Sequence, residues 1–256
     1  MKDQLHRALH VDTVPKRIVC LVPSLTEMLV DLGLKHKLLG VTKFCVHPQD
    51  IRTHAEVIGG TKNIKHDQIR ELNPDFILAN KEENELEDIE RLSESYSVYV
   101  SDINSIEDLL QLIRDLGELF SIPKRSSQLA DDIQTSFIKF SRETQHEPTL
   151  KVAYFIWRDP WMVAGSSTFI DYMLKLNNFD NVYKDLPRYP EVDIDKLKPV
   201  DYIFLSSEPF PFKDQHKKEF EMNPDQIQIV DGEYFSWYGS RLLKALDYFG
   251  QLRDKL

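Results

Sequence analysis

The sequence predicts an α/β protein of two Rossmann-like lobes, each with a mainly parallel sheet, joined by a single long backbone helix. Three observations support this prediction. Strand and helix patterns alternate in both halves of the chain, which is typical of βαβ units. A helix–proline–strand pattern at residues 69–78 returns at 194–205, about half the chain later. Between the halves, residues 124–145 contain neither glycine nor proline and carry apolar residues at helical spacing.

The first lobe is predicted to cover residues 1–122. Its expected strands are 17–22, 38–42, 75–79 and 96–100, and its expected helices are 24–32, 66–72, 83–95 and 105–119. Ser24 followed three residues later by Glu27 is a capping-box pattern at the start of the first helix. The segment 43–65 is predicted to be mostly loop, because it contains Pro48 and the pair Gly59–Gly60.

The connecting helix is predicted over residues 123–146 and the second lobe over 147–256. The expected strands of this lobe are 152–157, 202–206 and 227–230, and its expected helices are 167–176, 193–197 and 240–252. Ligands of open α/β sheets bind beyond the carboxyl ends of the strands, and many bind where domains meet. We therefore expect a ligand cleft between the two lobes.

Composition excludes several classes of protein. The chain has 256 residues, a net charge of −10 and no block rich in lysine and arginine, so a free-standing nucleic-acid binder is not expected. No stretch approaches the roughly 20 apolar residues that span a bilayer. Residues 1–7 show neither the apolar core of a signal peptide nor a nearby lipid-accepting cysteine. As written, the chain is expected in the cytoplasm, unless Met1 replaces a leader.

In the second lobe, aromatic side chains follow two predicted strands. Trp157, Arg158 and Trp161 offer two flat rings and one positive charge directly after a strand. Trp237 and Tyr238, with Glu233, follow the last strand and pair apolar bodies with polar tips. These residues are candidate ligand contacts, although each aromatic ring could instead cover the core of its lobe.

In the first lobe, polar and aromatic residues follow three strands. The candidate ligand contacts are Pro23, Ser24, Lys43, Phe44, Cys45, His47, Asn80 and Lys81. Pro23 and Ser24 begin a helix whose free N–H groups could bind an anion. Cys45 and His47 lie two residues apart, but a structural zinc site needs about four ligands, so no metal site is predicted. His47 could be an axial ligand of a haem or corrinoid, a hydrogen-bonding wall of the cleft or an exposed turn residue.

Several segments resemble one family. Residues 17–27, Arg-Ile-Val-Cys-Leu-Val-Pro-Ser-Leu-Thr-Glu, are similar to the first strand and turn of the substrate-binding proteins of ABC importers for cobalamin, haem and iron–siderophores. Residues 3–7, both helix–proline–strand repeats, Gly59–Gly60, and the closing Phe235 with Ser240-Arg241-Leu242 match that family as well. The likeness covers essentially the whole chain, and the cobalamin-binding branch is the most similar.

The resemblance implies a non-catalytic binding protein with little hinge motion. Such a protein captures a metal chelate, either cobalamin or another corrinoid, haem or a ferric siderophore, for ABC-type import. It implies a periplasmic or cell-surface location and no intrinsic cofactor, and we expect a monomer. Aligning the two repeats places Thr61 and Asn80 where cobalamin binders tend to carry tryptophans, whereas Trp161 and Tyr189 keep the aromatic positions of the second lobe.

Partner docking is also implied by the resemblance. In these receptors an acid on each lobe pairs with arginines of the importer membrane subunits. The repeat places Asp67 on the first lobe and either Asp193 or Asp195 on the second. Two separated acids could each bind a guanidinium group and so fix the orientation of the complex.

Two other functions stay open at this point. The missing leader would suit a cytosolic carrier or sensor of the same ligand. A chelatase-like enzyme would need a histidine and a carboxylate aimed at the metal, and His47 and Glu233 could face each other across the expected cleft. The sequence contains no Ser-His-Asp arrangement, P-loop or dinucleotide-binding fingerprint.

Overall fold

The computed structural model describes the whole chain, residues 1–256, which divides into two compact units. The first unit contains residues 1–134 and 238–241, and the second contains 135–237 and 242–256. The short segment 238–241 therefore belongs to the first unit, although its neighbours in sequence belong to the second.

The first unit is built on a wholly parallel five-stranded sheet with the order β3-β2-β1-β4-β5. Its strands are β1 (Ile18–Cys20), β2 (Leu38–Val41), β3 (Glu56–Val57), β4 (Phe76–Asn80) and β5 (Val98–Ser101). Its helices are α1 (Pro23–Asp31), α2 (Ile51–His54), α3 (His66–Leu72), α4 (Leu86–Ser93) and α5 (Ile106–Leu119), with a 3-10 turn at Lys35–Lys37.

Burial explains why these segments take these positions. Every residue of β1 is buried, as expected for the central strand of a parallel sheet that is covered on both faces. Helix α5 begins at a capping box in which Ser105 and Asp108 satisfy each other's backbone N–H groups. Its apolar residues recur every three or four positions and are buried, so that the opposite face stays in water.

A single long helix, α6 (Pro123–Thr144), follows α5. Its 22 residues correspond to about 33 Å at 1.5 Å per residue. The boundary between the two units falls inside this helix, between Gln134 and Thr135. The prediction of one continuous helix is therefore confirmed, with an end two residues earlier than expected.

The second unit is built on a five-stranded, mainly parallel sheet. Its strands are β6 (Leu150–Trp157), β7 (Met162–Val163), β8 (Phe179–Asn181), β9 (Tyr202–Ser206) and β10 (Ile227–Val230), and its helices are α7 (Phe169–Leu176), α8 (Gly232–Ser236) and α9 (Leu242–Arg253). The order is β10-β9-β6-β7, and β8 pairs with the start of β6. Only β7 is antiparallel, so the predicted two-lobed, mainly parallel α/β class is confirmed.

Some local predictions are wrong. The expected capping box of Ser24 and Glu27 does not form, because α1 starts at Pro23 and its N-cap, Val22, has no side-chain acceptor. The predicted loop 43–65 contains α2 and β3, and β3 is too short to show an alternating pattern. The predicted helix 193–197 is a single 3-10 turn at Ile194–Lys196.

Candidate functional site

The first-lobe candidates collect at one edge of the first sheet. Because β1 to β5 are parallel, their carboxyl ends meet at this edge, where ligands of α/β proteins bind. The start of α1, the end of β4 and the loops after β2, β3 and β4 carry the candidates Pro23, Ser24, Lys43, Phe44, Cys45, His47, Thr61, Asn80 and Lys81. The structure thus brings the predicted residues to one edge, but it exposes only some of them.

Lys43 and Phe44 lie exposed over the glycine pair at the end of β3. The Phe44 side chain is 50% exposed, and the Lys43 ammonium lies 4.9 Å from the centre of its ring. The backbone N–H of Lys43 donates to the carbonyl of Gly59 at 2.8 Å. A methyl group on Gly60 would come within 3.3 Å of the Phe44 ring and 3.4 Å of the Lys43 side chain. The absence of a side chain at Gly60 therefore lets this pair lie flat on the loop.

Cys45 is fully buried, which corrects its assignment as a ligand contact. Its Sγ atom lies 3.3 Å from the hydroxyl oxygens of Thr26 and Thr42. Burial raises the pKa of the Cys45 thiol, so the group stays a neutral, unreactive thiol. Cys45 is anchored below the surface. This anchor fixes the backbone of the preceding residue, Phe44, at the surface.

Asn80 is also fully buried, which corrects a second assignment. Its amide nitrogen donates to the backbone and hydroxyl oxygens of Ser101 at 3.1 and 3.0 Å. Its amide oxygen accepts from the N–H groups of Glu82 and Glu83 at 2.8 and 3.2 Å. The Asn80 side chain therefore holds the loop after β4 and has no atom left for a ligand.

Thr61 is held beside it by a second buried amide. The Asn84 side chain donates to the carbonyls of Thr61 and Leu21 at 3.0 and 3.3 Å, and its oxygen accepts from the Asn80 N–H at 2.9 Å. Only 9% of Thr61 is exposed. The Asn80 and Thr61 positions, where the resemblance implies tryptophans, thus stabilise the first unit.

The start of α1 is covered rather than open to an anion. Pro23 and Ser24 are buried. The segment 238–241 packs on this turn, and a methyl group on Gly239 would lie 3.4 Å from the Ser24 carbonyl. Lys81, by contrast, is exposed and forms an ion pair with Asp102 at 2.7 Å. The predicted anion site at Pro23 and Ser24 is therefore not supported by the geometry.

A buried ion pair that sequence reasoning missed joins this segment to α1. The Arg241 guanidinium donates to both carboxylate oxygens of Glu27, at 2.7 and 3.1 Å. Both side chains are less than 10% exposed. The residues are 214 positions apart, so no local pattern pointed to their pairing. The sequence singled out Arg241 only as part of the C-terminal motif that resembles the family, and that motif did not identify its partner.

The second sheet also gathers candidates at its carboxyl edge, in the loops after β6 and β10. Trp157 is 39% exposed and meets the edge of Phe210, with ring centres 5.8 Å apart. Arg158 pairs with Glu219 at 2.9 Å and with Asp159 at 2.5 Å, and the Glu219 carboxylate raises the pKa of Arg158. The charge of Arg158 is therefore compensated within the second unit.

Trp161 is partly buried and packs in an aromatic cluster, which favours a role in the core of the second unit over its predicted role as a ligand-stacking ring. It stacks on Phe212 with ring centres 5.9 Å apart and planes inclined by 13°. The rings of Phe155 and Phe220 meet it edge to face, with centres at 5.6 and 5.1 Å. These contacts cover part of the indole, because the three phenylalanines belong to the buried core of the second unit.

The remaining second-lobe candidates are partly or fully covered. The Arg188 guanidinium lies 5.5 Å from the centre of the Tyr189 ring. Glu233 is half-buried in the first turn of α8 and accepts, through its carbonyl, the Trp237 N–H at 2.8 Å. Trp237 and Tyr238 are 9% and 6% exposed. Both rings are therefore largely shielded from water, and their role stays a prediction.

The candidate docking acids are all at the surface. Asp67 is 85% exposed and lies 3.0 Å from Arg70. Asp193 accepts from the Asp195 N–H at 3.1 Å and from Lys196 at 2.8 Å, and this lysine lowers the pKa of Asp193. Asp195 is exposed and has no cation within the 4 Å range of an ion pair.

No group of three or more histidine, cysteine, aspartate or glutamate side chains is arranged to hold a metal ion. No helix combines the length and the apolar surface needed to cross a bilayer.

Comparisons with known proteins agree on one family. The model of the periplasmic binding protein family matches residues 18–228. A vitamin B12-binding protein from Pectobacterium carotovorum subsp. carotovorum (strain PC1) is 24% identical over 241 residues, which cover 91% of this chain and 86% of that protein.

Two solved structures share the fold. The periplasmic vitamin B12 binding protein BtuF of Vibrio cholerae superposes with a TM-score of 0.82 at 19% identity, over 95% of this chain and 99% of that one. The periplasmic heme-binding protein RhuT from Roseiflexus sp. RS-1, in its apo form, gives a TM-score of 0.82 at 20% identity, over 94% and 98%.

Proposed function

Since the chain belongs to the periplasmic binding protein family, we propose that it captures a metal chelate for an ABC importer without transforming it. The chelate is cobalamin or another corrinoid, haem or a ferric siderophore. The family match carries this proposal, because residues 18–228 extend from β1 into β10 and include the carboxyl-edge loops of the first sheet and those after β6 and β9 of the second. Relatives with the same fold are named for vitamin B12 and for haem, which are both large, flat metal chelates.

Two exposed aromatic rings support this type of ligand. Phe44 of the first unit and Trp157 of the second are 50% and 39% exposed at the carboxyl edges of their sheets. Large aromatic side chains lose contact with water favourably, and stacking adds about 0.5–1.5 kcal/mol beyond the buried area. We propose that each ring packs on an apolar face of the ligand.

Titration of the purified protein with haemin, cyanocobalamin and a ferric catecholate tests the proposal. All three are coloured, so absorbance and tryptophan fluorescence report binding directly. Trp157→Ala should weaken the binding of the accepted ligand by about 1–3 kcal/mol, the range for a lost stacking ring. Trp161→Phe is the matched control, since its ring lies in the aromatic cluster. If none of the three ligands binds, the proposed function is wrong.

We further propose that the protein works outside the cytoplasmic membrane and docks on importer membrane subunits through surface acids. Asp67 of the first unit and Asp195 of the second are the acids we assign. Asp67 keeps 85% of its side chain exposed beside Arg70, whereas Asp193 is 49% exposed and accepts from both Lys196 and its own turn. Single exposed ion pairs contribute little, roughly 0–1 kcal/mol, so both acids are needed.

Uptake assays in cells test this docking. The double change Asp67→Asn with Asp195→Asn should abolish uptake of the ligand while leaving its affinity unchanged. Asp131→Asn, an exposed acid on α6, is the control. Normal uptake by the double variant, or fractionation of the native protein with the cytoplasm, would remove the docking proposal.

A further inference from the structure

We propose that the captured ligand carries a carboxylate or similar anionic group, which Lys43 and Arg52 bind beside the ring of Phe44. The inference rests on the proposed function and narrows its ligand class. It favours a flat chelate with acidic side chains, such as haem. A corrinoid whose side chains are amides is disfavoured.

The first observation is a pair of uncompensated cations. The Arg52 guanidinium donates to the backbone carbonyl of Lys43 at 3.1 Å, so it is held on the loop segment that carries Lys43, and both side chains are exposed. Neither has a carboxylate within 4 Å. The neighbouring acid in sequence, Asp50, is engaged by Lys35 at 2.5 Å. Two other lysines of this edge are ion-paired, Lys81 with Asp102 at 2.7 Å and Lys62 with Glu85 at 3.2 Å.

The second observation is that the fold holds this pair in place. Lys43 and Phe44 lie against Gly60, where a methyl group would crowd both side chains. The buried thiol of Cys45 anchors the next residue through Thr26 and Thr42. An exposed loop without such anchors would leave the lysine and the ring free to separate.

Charge and ring together indicate the ligand class. A protein with a net charge of −10 repels anions at long range, so two unpaired cations beside a half-exposed ring form a local exception. The ring can pack on the face of any flat chelate, whether neutral or charged. The cations contribute only where the ligand brings a negative group, such as the propionate carboxylates of haem.

The test compares haemin and cyanocobalamin on the wild-type protein and on four variants. Lys43→Gln should weaken haemin binding about five-fold, and Lys43→Gln with Arg52→Gln about ten- to twenty-fold, as expected for partly exposed charge pairs. Lys43→Arg should restore most of the affinity. Lys62→Gln, which removes a lysine already paired with Glu85, is the matched control and should change little. Thermal melts establish that all variants stay folded.

Salt dependence supplies a second readout. Haemin affinity should fall between 50 and 500 mM salt in the wild type, because screening weakens exposed charge pairs, and this fall should be smaller in the double variant. Tight cyanocobalamin binding with little or no haemin binding would overturn the inference and leave the proposed function standing. Equal loss of haemin affinity in Lys62→Gln and Lys43→Gln would also overturn it. Absence of binding to haemin, cyanocobalamin and the ferric catecholate would overturn both.

Discussion

In the first unit, buried amides and hydroxyls hold the loops at the carboxyl edge of the sheet, whereas packed aromatic rings hold those of the second unit. Asn80 and Asn84 satisfy backbone groups of three loops in the first unit. Trp161 and its phenylalanine neighbours fill the same region of the second. In the first unit, directional hydrogen bonds from small side chains fix the loop backbone. In the second unit, bulky rings fix the loops by filling the space beneath them. Similar strand plans can therefore carry two chemically different edges.

The two helix–proline–strand repeats show a second difference. In the first unit α3 is a regular helix that ends at Asn73 in the left-handed region, at φ 43° and ψ 62°. In the second unit the matching segment is one 3-10 turn, and Leu197 is already extended at ψ 139°. Proline disfavours a helical residue before it, so Lys198 cannot easily extend the turn towards Pro199. The repeat predicts the position of the strand better than the length of the helix.

The largest expected effect comes from breaking the buried ion pair of the first unit. Arg241→Ala removes both guanidinium hydrogen bonds from the buried Glu27 carboxylate and should lower the free energy of unfolding by about 3–5 kcal/mol. Urea or thermal unfolding measures it. The double change Glu27→Leu with Arg241→Met removes both charges and should recover most of the loss. A mild effect of Arg241→Ala would show that the pair is not buried in solution.

A slightly smaller effect is expected from the aromatic cluster of the second unit. Trp161→Ala removes a ring that three phenylalanines contact and should cost about 3 kcal/mol of unfolding free energy. Trp161→Phe keeps part of the ring contact and should cost less. Ligand affinity should change little in either variant. A large loss of affinity with unchanged stability would return Trp161 to the ligand site.

Each residue of the amide network of the first unit should contribute less to the free energy of unfolding than the buried ion pair or the aromatic cluster does. Asn80→Ala leaves the N–H groups of Glu82 and Glu83 without their acceptor and should cost about 1–3 kcal/mol. Lys81→Ala, at the exposed neighbouring position, should change stability by less than about 0.5 kcal/mol. Equal effects at the two positions in a denaturant titration would contradict the role assigned to Asn80.

The smallest expected effect is a pH dependence at Glu83. Desolvation raises the pKa of this half-buried carboxyl, and the nearby Lys62 opposes the shift. The folded state therefore binds the proton more tightly than the unfolded chain does. Its contribution to stability is present below the unfolded carboxyl pKa and is lost as pH rises through the folded pKa. Glu83→Gln should melt slightly higher than the wild type at pH 7 and at the same temperature near pH 3. A constant difference at both pH values would be inconsistent with this titration.

Much of the fold follows from local sequence patterns. Strands β1, β4, β6 and β9 were predicted because each contains a continuous apolar run, and a strand buried on both faces requires such a run. Helix α6 was predicted because 22 positions without glycine or proline keep apolar residues at helical spacing. The parallel plan then placed the candidate loops at the carboxyl edges. The two-residue strands β3 and β7 were missed, since two residues carry no period.

The roles of single site residues depended on tertiary structure. The sequence placed Cys45, Asn80 and Trp161 at the expected edges of the sheets. Their burial, however, depends on contacts with residues from elsewhere in the chain. Glu27 and Arg241 pair across 214 positions, and the pairing arises only when the segment 238–241 packs on α1. The side chain alone determines which chemical groups a loop residue carries, whereas packing with distant parts of the chain determines whether those groups are exposed. For that reason the sequence by itself determined the fold class and the edges where a ligand is expected, and tertiary structure decided which side chains at those edges can meet one.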